Sequence, residues 1–451
     1  MKHKIGILGA GTWGMALARM LTVSGNDVTV WSALEQEIDN LSTTRVHPNL
    51  PGMTIPAEMK FTKSVEEVCT DKEILLFAVP SVFVRSTAAK ARPFVPDGQI
   101  IVDVAKGIEK DTLFTMTEIL ADELGKEGGP KGVRLVALSG PTHAEEVAID
   151  LPTTIVSASK DMEAARFVQT VFTNNVMRVY TNEDIKGVEL SGAMKNVIAL
   201  GVGISTGLGY GDNARAALIT RGIAELARLG VAMGCNVHTF AGLAGIGDLI
   251  VTATSMHSRN NRAGILIGKG ETPEQAVKEV GMVVEGMNAL PAALELAAKY
   301  QVEMPIVQTV NAVVNKGMSA AEAWNAYREA LAQDELNGDM SWENFLDRMG
   351  GTNYERRLRD AVNAQVQQAV KHSRAAQQYR PADIRITDTA HQAIRSTRQQ
   401  PQRQQKPRQT AGQQPEQRRQ PPRPYLLAEG AQRHDDPRAD AAQRMGQHRQ
   451  Q

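Results

Sequence analysis

The sequence has few cysteines, no long apolar run and no excess of either charge. Two of its 451 residues are cysteines, Cys69 and Cys235, which excludes a disulfide framework. They also lack the clustered spacing of a zinc or iron–sulfur site, so we expect no bound metal and a reducing, cytoplasmic location. No uninterrupted apolar run reaches the roughly 18 residues that a membrane-spanning helix needs, so we expect no membrane span.

The charges balance overall but not locally. Lys plus Arg and Asp plus Glu each total 50, whereas residues 398–451 hold 11 basic and 5 acidic side chains. The rest of the chain is therefore slightly acidic, and its bulk charge gives no reason to expect nucleic-acid binding.

Residues 398–451 also differ in composition, with 15 Gln, 10 Arg and 7 Pro. Such a segment has too little apolar surface to offset the entropy of ordering, and we predict that it is disordered. It is either a basic tail for nucleic acid or acidic membrane, or a passive extension or out-of-frame read-through. We favour the second interpretation.

Short β-rich runs alternate with helical patterns up to about residue 180. The candidate strands are residues 4–8, 28–31, 74–79, 100–104, 134–139, 154–157 and 177–180, and helical patterns lie at 13–24, 82–91 and 112–124. Most of the strand candidates are continuous apolar runs, which is typical of strands covered on both faces. This pattern predicts an α/β fold with a Rossmann-type doubly wound sheet over residues 1–182.

From residue 184 to 317 the chain reads as helical, with glycine-rich breaks at 201–211 and 242–247. We therefore predict an all-α domain over residues 183–330, where substrate binding and catalysis would take place. Residues 331–397 form a polar extension with helical spacing, followed by the 398–451 tail.

A glycine-rich motif follows the first predicted strand directly. Gly9, Gly11 and Gly14 enclose Thr12 and Trp13 in a G-x-G-x-x-G pattern at the start of a helix. Gly9 would permit the tight turn, Gly11 would let the backbone approach a pyrophosphate, and Gly14 would let the helix pack against the strand. With a strand on either side, the motif predicts binding of NAD or NADP.

The expected ribose ligand is ambiguous. No acidic residue closes the second strand, and Glu35 lies about 20 residues beyond the glycines, where such a ligand is expected. Ser32 and Glu35 equally fit a capping box at the start of the next helix. Both interpretations stay open.

Two lysines are candidates for chemistry. Lys106 follows the predicted strand 100–104 at the carboxyl edge of the sheet, where it could meet a phosphate or carbonyl oxygen. Lys195 interrupts a helix of small and apolar residues. Desolvation and a second cation nearby would lower its pKa toward the range useful for proton transfer, although it could also be a core-helix lysine that reaches solvent.

Polar residues in three further loops could complete the site. The loop 139–142 offers backbone N–H groups and the Thr142 hydroxyl, and Pro141 suits the first turn of a following helix. The adjacent His143 could act as a base, but nothing in the sequence pairs it with a nucleophile. Asp248 follows a glycine-rich turn and could hold the Lys195 amine or cap a helix. The run 258–260 places an arginine beside an asparagine, which suits a phosphate or an exposed polar turn.

Ten segments in register resemble the bacterial-type NAD(P)-dependent glycerol-3-phosphate dehydrogenases. They are residues 9–14, 50–52, 78–81, 106–107, 140–147, 192–197, 211–221, 242–249, 258–260 and 284–286. The resemblance covers residues 1 to about 320 and fades beyond that point.

The resemblance implies reversible hydride transfer between NAD(P)H and dihydroxyacetone phosphate, which gives sn-glycerol 3-phosphate for glycerophospholipid synthesis. It implies Lys195 as the catalytic acid/base. The implied substrate-binding positions are Lys106, Gly140, Thr142, Lys195, Asp248, Ser258, Arg259 and Asn260. The implied cofactor-binding positions are Gly9, Gly11, Thr12, Trp13, Gly14, Lys106, Ala144, Arg259, Val283 and Glu285.

The resemblance also implies a homodimer. Family members commonly carry an arginine or histidine just after the second strand, where this chain has Ala33. That departure puts preference for NADP in doubt, although Arg45 could compensate. Two alternatives stay open: a related two-domain β-hydroxyacid or 6-phosphogluconate dehydrogenase, and a non-catalytic dinucleotide-sensing protein that uses the basic tail.

Overall fold

The structure of the chain is a computed structural model that describes residues 2–337. The described residues lie within one compact unit. The predicted tail 398–451 and most of the predicted extension 331–397 lie outside the described residues. Residues 331–337 belong to the last helix.

The described chain starts with alternating strands and helices and ends in helices alone. Its strands are Lys4–Leu8 (β1), Asp27–Trp31 (β2), Lys60–Thr62 (β3), Ile74–Phe77 (β4), Ile100–Asp103 (β5), Arg134–Ser139 (β6), Thr153–Ala158 (β7) and Met177–Asn182 (β8). Its α-helices are Thr12–Val23 (α1), Glu35–Thr44 (α2), Val65–Cys69 (α3), Val84–Ala91 (α4), Met116–Leu124 (α5), Ala144–Val147 (α6), Met162–Phe172 (α7), Ile185–Gly207 (α8), Asp212–Ala232 (α9), Val237–Phe240 (α10), Asp248–Thr254 (α11), Arg259–Gly268 (α12), Pro273–Val280 (α13), Glu285–Tyr300 (α14), Pro305–Lys316 (α15) and Ala320–Asn337 (α16).

One sheet carries all eight strands in the order β3-β2-β1-β4-β5-β6-β7-β8. Every neighbouring pair is parallel except β6 with β7, which is antiparallel. The central strands β4 and β5 are buried along their whole length, as continuous apolar strands between two layers of helices should be. The predicted α/β fold class is confirmed.

The sequence prediction missed strand β3. Its three residues form an edge strand with an exposed lysine. A run this short carries no periodicity, and only its pairing with β2 defines it.

The predicted break at residues 201–211 is wrong at its start, because α8 continues to Gly207. The glycines there permit helix–helix contact instead of a turn. A Cβ on Gly203 would lie 2.3 Å from the carbonyl oxygen of Asn261 in α12, and one on Gly264 would lie 2.2 Å from that of Leu200 in α8. Only glycine lets two helix backbones approach so closely.

Three predicted helix starts are also too early. The pattern at 112–124 becomes helical at Met116, where Thr115 and Glu118 form a capping box. The pattern at 82–91 becomes α-helical at Val84, after a 3₁₀ turn at Ser81–Phe83. Pro141 lies in the loop before α6, which begins at Ala144.

The glycine-rich run 242–247 forms a π-helical turn, Leu243–Gly247, between α10 and α11. Among residues 2–337, the run Val237–Thr254 is the one helical stretch whose length and mean hydropathy of 1.3 would fit a membrane span, and 44% of it is buried inside the fold. Because it consists of three helical pieces and carries the buried Asp248, it has the character of a core segment.

Candidate active site

The glycine-rich loop has the shape that a pyrophosphate requires. Gly9 has φ of +125°, and a Cβ there would lie 2.5 Å from the carbonyl oxygen of Ala78. A Cβ on Gly14 would lie 2.3 Å from the carbonyl oxygen of Gly9, whereas one on Gly11 would meet nothing within 4 Å. No side chain caps α1, which Thr12 begins, so its first N–H groups are free to bind an anion. These residues fit a dinucleotide.

A buried ion cluster lies where the sheet meets the helical region. The Nζ of Lys195 in α8 donates to Oδ1 of Asp248 at 2.6 Å and to the Thr252 hydroxyl. The Nζ of Lys106, which follows β5, donates to Oδ2 of the same Asp248 at 2.6 Å and to the carbonyl oxygen of Gly140 at 3.2 Å. One carboxylate therefore orients both lysines that the sequence singled out.

The environment of Lys195 favours its neutral amine more than water would. The side chain is buried, and its pKa is lowered to about 7. Burial is the main cause, the charges of Lys106 and Arg259 add to the lowering, and Asp248 opposes it. An amine with a pKa near 7 can give or take a proton at neutral pH. The predicted depression of the Lys195 pKa is confirmed.

The segment 258–260 begins helix α12. The Ser258 hydroxyl accepts from the Asn261 N–H as the helix cap. The Asn260 amide donates to Oδ1 of Asn196 at 2.9 Å and accepts from the Gly286 N–H at 2.8 Å. Asn260 thus joins α8, α12 and α14. Within this segment, it is the charge of Arg259 that lowers the pKa of Lys195.

His143 has a structural partner. Because a carbonyl can only accept, its Nε2–H donates to the carbonyl oxygen of Val251 at 3.2 Å. Its ring also lies beside His257, with centroids 5.7 Å apart, and burial lowers its pKa. Its neighbour Thr142 donates to the carbonyl oxygen of Gly140, and Ala144 begins α6 in a buried position.

Glu285 reaches across from the helical region to the sheet. It begins α14, and its Oε2 accepts from the Ser81 hydroxyl at 2.8 Å. A Cβ on Gly107 would lie 2.4 Å from Cβ of Ser81, so Ser81 also packs against the Lys106 loop. Val283, just before α14, is partly exposed.

The structure contradicts the capping-box interpretation of Ser32 and Glu35, and the ribose interpretation of Glu35 stays a prediction. Helix α2 has Leu34 at its N-cap position without a capping side chain, so the predicted capping box is wrong. The Glu35 side chain is 73% exposed and lies 3.6 Å from Nζ of Lys63. Arg45 donates to the carbonyl oxygens of Pro56 and Met59 at 3.1 and 2.9 Å. Its guanidinium therefore stabilises the segment before β3.

The sequence did not predict two contacts in the site. Asn196 binds Asn260, and Ser81 binds Glu285. The distances along the chain are 64 and 204 residues, and no local pattern reports such pairs. The proximity of Thr252 to Asp248 could be predicted from the sequence, because the two residues lie one helical turn apart. Residues 2–337 contain no group of three or more His, Cys, Asp or Glu side chains placed to hold a metal ion.

Comparison with known proteins identifies the family. The family models for the NAD-dependent glycerol-3-phosphate dehydrogenase N-terminus and C-terminus match residues 4–165 and 184–325. Glycerol-3-phosphate dehydrogenase 2 (NAD(P)+) of Lactobacillus delbrueckii subsp. bulgaricus is 69% identical over 323 residues, which is 72% of this chain and 96% of the relative. The enzyme of Bacillus subtilis is 48% identical over 325 residues, with 71% and 92% covered.

A solved structure agrees with these relatives. The crystal structure of glycerol-3-phosphate dehydrogenase from Coxiella burnetii superposes with a TM-score of 0.69 at 35% identity, covering 73% of this chain and 99% of that one. The similarity thus includes both the sheet and the helical region.

Proposed function

The chain belongs to the NAD-dependent glycerol-3-phosphate dehydrogenase family, and on that premise we propose that it interconverts dihydroxyacetone phosphate and sn-glycerol 3-phosphate with NAD(H) or NADP(H). The observation that carries the proposal is the single carboxylate of Asp248, which holds two lysine amines from different parts of the fold. A site built for ketone reduction needs a proton donor and positive charge at the same oxygen.

Lys195 is the acid/base in this proposal. When bound, the reduced nicotinamide supplies a hydride to the carbonyl carbon. The Lys195 ammonium then gives its proton to the carbonyl oxygen, which becomes the hydroxyl of the product, and the amine regains a proton from solvent. In the oxidative direction the neutral amine removes the hydroxyl proton. Asp248 and Thr252 hold the Nζ in place.

Lys106 and Arg259 supply the remaining positive charge. Lys106 stabilises the negative charge that develops on the carbonyl oxygen. Arg259 binds the phosphate, aided by the amino end of α12, where Ser258 and Asn260 fix the backbone. The loop residues Gly140 and Thr142 contact the polyol end. Phosphate binding then fixes the reacting carbon against the cofactor.

The cofactor positions follow the same scheme. Gly9, Gly11, Thr12, Trp13 and Gly14 would hold the pyrophosphate at the amino end of α1. Lys106, Ala144, Arg259, Val283 and Glu285 would lie toward the nicotinamide. Glu285 is held by Ser81, which supports a fixed position at this end.

We also propose, on family membership, that the chain acts in the cytoplasm, forms a homodimer and supplies glycerophospholipid synthesis. Division into domains at residue 182 is likewise a proposal: β8 ends at Asn182 and α8 begins at Ile185. Light scattering of the purified chain tests the dimer, which requires twice the mass of 48.9 kDa.

The test is the oxidation of NADH and of NADPH, followed by absorbance, with dihydroxyacetone phosphate as the acceptor. We expect turnover in the wild type and a loss of at least about a hundredfold in Lys195→Ala, with NADH affinity retained. Turnover with a β-hydroxyacid or 6-phosphogluconate and none with dihydroxyacetone phosphate would overturn the proposal. No turnover with any substrate would favour the dinucleotide sensor.

A further inference from the structure

The end of strand β2 lies beside the glycine-rich loop. The Gly9 N–H donates to the carbonyl oxygen of Trp31, the last residue of β2, at 2.8 Å. In a dinucleotide-binding sheet this is where the adenosine ribose lies, and an acidic side chain there accepts from its 2′-hydroxyl. Glu35, at the expected distance along the chain, is instead exposed and near Lys63.

A different carboxylate reaches this point. Glu37, in the first turn of α2, accepts from the Ser32 hydroxyl at 2.5 Å through its Oε2. Ser32 directly follows β2 and is buried, and its hydroxyl also accepts from the Leu34 N–H at 3.2 Å. Ser32 therefore fixes the Glu37 carboxylate at the carboxyl end of β2.

His47 lies beside the glycine-rich loop. Its buried ring donates from Nε2 to the carbonyl oxygen of Ala10, within the glycine-rich loop, at 3.2 Å, and accepts at Nδ1 from the Asn49 N–H. Both ring nitrogens are thus engaged as in a neutral imidazole. Burial lowers the pKa of His47, and the negative charge of Glu37 opposes that shift.

The cations near this end of the site have other partners. Lys63 pairs with Asp39 at 2.8 Å, and Arg45 donates to two backbone carbonyls while its guanidinium lies over the Phe61 ring. Residues 32–36 contain no lysine or arginine. A 2′-phosphate would therefore meet a carboxylate without a compensating charge, which disfavours it.

We propose that Glu37 is the acceptor for the adenosine 2′-hydroxyl and that it makes the enzyme favour NAD(H) over NADP(H). The inference rests on the proposed dinucleotide position and adds the specificity-determining residue. It replaces Glu35 of the sequence prediction with a residue two positions later.

The test is direct binding, measured by calorimetry as the Kd for NADH and for NADPH without substrate. The wild type should bind NADH at least about tenfold more tightly, because a hydrogen bond to a charged group is exchanged for like-charge repulsion. Glu37→Gln should lower this ratio at least about fivefold, and Glu37→Gln combined with Ala33→Arg should reverse it. Glu35→Gln is the matched control and should leave the ratio unchanged.

Two outcomes would overturn the inference: wild-type binding of NADPH as tight as that of NADH, or equal shifts in the ratio for Glu37→Gln and Glu35→Gln. Thermal unfolding of each variant shows whether it is folded. Failure of the proposed function would be seen separately, as absence of dihydroxyacetone phosphate reduction by a wild type that still binds NADH.

Discussion

Lys195 has a different environment from a surface lysine, and its chemistry follows from that difference. The side chain is buried in α8, and its amine donates to Asp248 and Thr252. Burial lowers its pKa because the ammonium loses solvation, and this effect exceeds the opposing attraction of Asp248. The charge state of Lys195 therefore depends on its burial and on charged residues from three other segments, Asp248, Lys106 and Arg259.

The two directions of the reaction should depend on pH in opposite ways. In the proposed mechanism reduction uses the Lys195 ammonium and oxidation uses the amine, and the pKa of the group is lowered to about 7. The rate of dihydroxyacetone phosphate reduction should fall as pH rises through about 7, while the rate of glycerol 3-phosphate oxidation should rise. Profiles of kcat/KM against pH check this, and parallel profiles would contradict the acid/base role.

Arg259 should act mainly on phosphate binding. Arg259→Ala removes a charged hydrogen-bond donor, so we expect KM for dihydroxyacetone phosphate to rise about ten- to a hundredfold. Arg262, one turn along α12 and also half-buried, gives the matched control Arg262→Ala. Steady-state kinetics at saturating NADH measure both, and an equal change in the two variants would show that the effect is structural.

At the scale of elements, α8 and α12 form the tightest helix pair around the site. Gly203 and Gly264 face each other's helix at a distance that excludes a Cβ. This contact places Asn260 of α12 beside Asn196 of α8. Backbone packing thus determines where the proposed phosphate-binding residues lie.

Gly264→Ala should destabilise the protein by about 1–3 kcal/mol or more, because backbone atoms of α8 cannot yield as a side chain can. Gly247→Ala is a useful comparison for stability, since Gly247 is also helical and a Cβ there meets only ordinary contacts at 3.7 Å and beyond. Thermal unfolding measures both variants. A drop in Tm no larger for Gly264→Ala than for Gly247→Ala would contradict the close-contact interpretation.

These same elements show how far the sequence can be interpreted. Apolar runs predicted seven of the eight strands. The sequence and the family resemblance also singled out Lys106, Lys195 and Asp248, which the structure brings together. The continuation of α8 through Gly201 could not be predicted, because a glycine that permits close packing cannot be distinguished in sequence from one that ends a helix. The hydrogen bond between Ser32 and Glu37 could not be predicted either, because it depends on how α2 folds back on β2.

At the scale of the whole molecule, several carboxyls are buried away from the site. Glu225 in α9 accepts from the Ile306 N–H at the start of α15 at 2.9 Å, and burial raises its pKa to about 7. It thereby caps a helix whose own N-cap residue, Met304, has no capping side-chain bond. This contact joins two segments that lie 81 residues apart along the chain.

Stability should fall as pH rises because of Glu225. Its folded pKa of about 7 lies above the ordinary value of 4.5, so the folded state retains the proton after the unfolded chain has released it. The resulting stabilisation is complete below about pH 4.5 and is lost as pH rises through 7. Glu225→Gln keeps an acceptor and removes this titration. As pH rises from 5 to 7.5, the Tm of this variant should therefore increase relative to the Tm of the wild type.

Calorimetric scans across that pH range measure the difference in Tm. Glu295→Gln, at an exposed position of α14, serves as the control and should follow the wild type throughout. A difference in Tm between wild type and Glu225→Gln that does not change with pH would exclude a contribution of Glu225 titration to stability.

The shared carboxylate of Asp248 also limits how the enzyme can move. One amine that it binds comes from the loop after β5 and the other from α8, so hinge opening between sheet and helices would detach one of them. The released ammonium would be attracted back to the carboxylate of Asp248, which favours reclosure. Any movement that separates the loop after β5 from α8 would therefore break one of these two ion pairs, and the return movement would remake it.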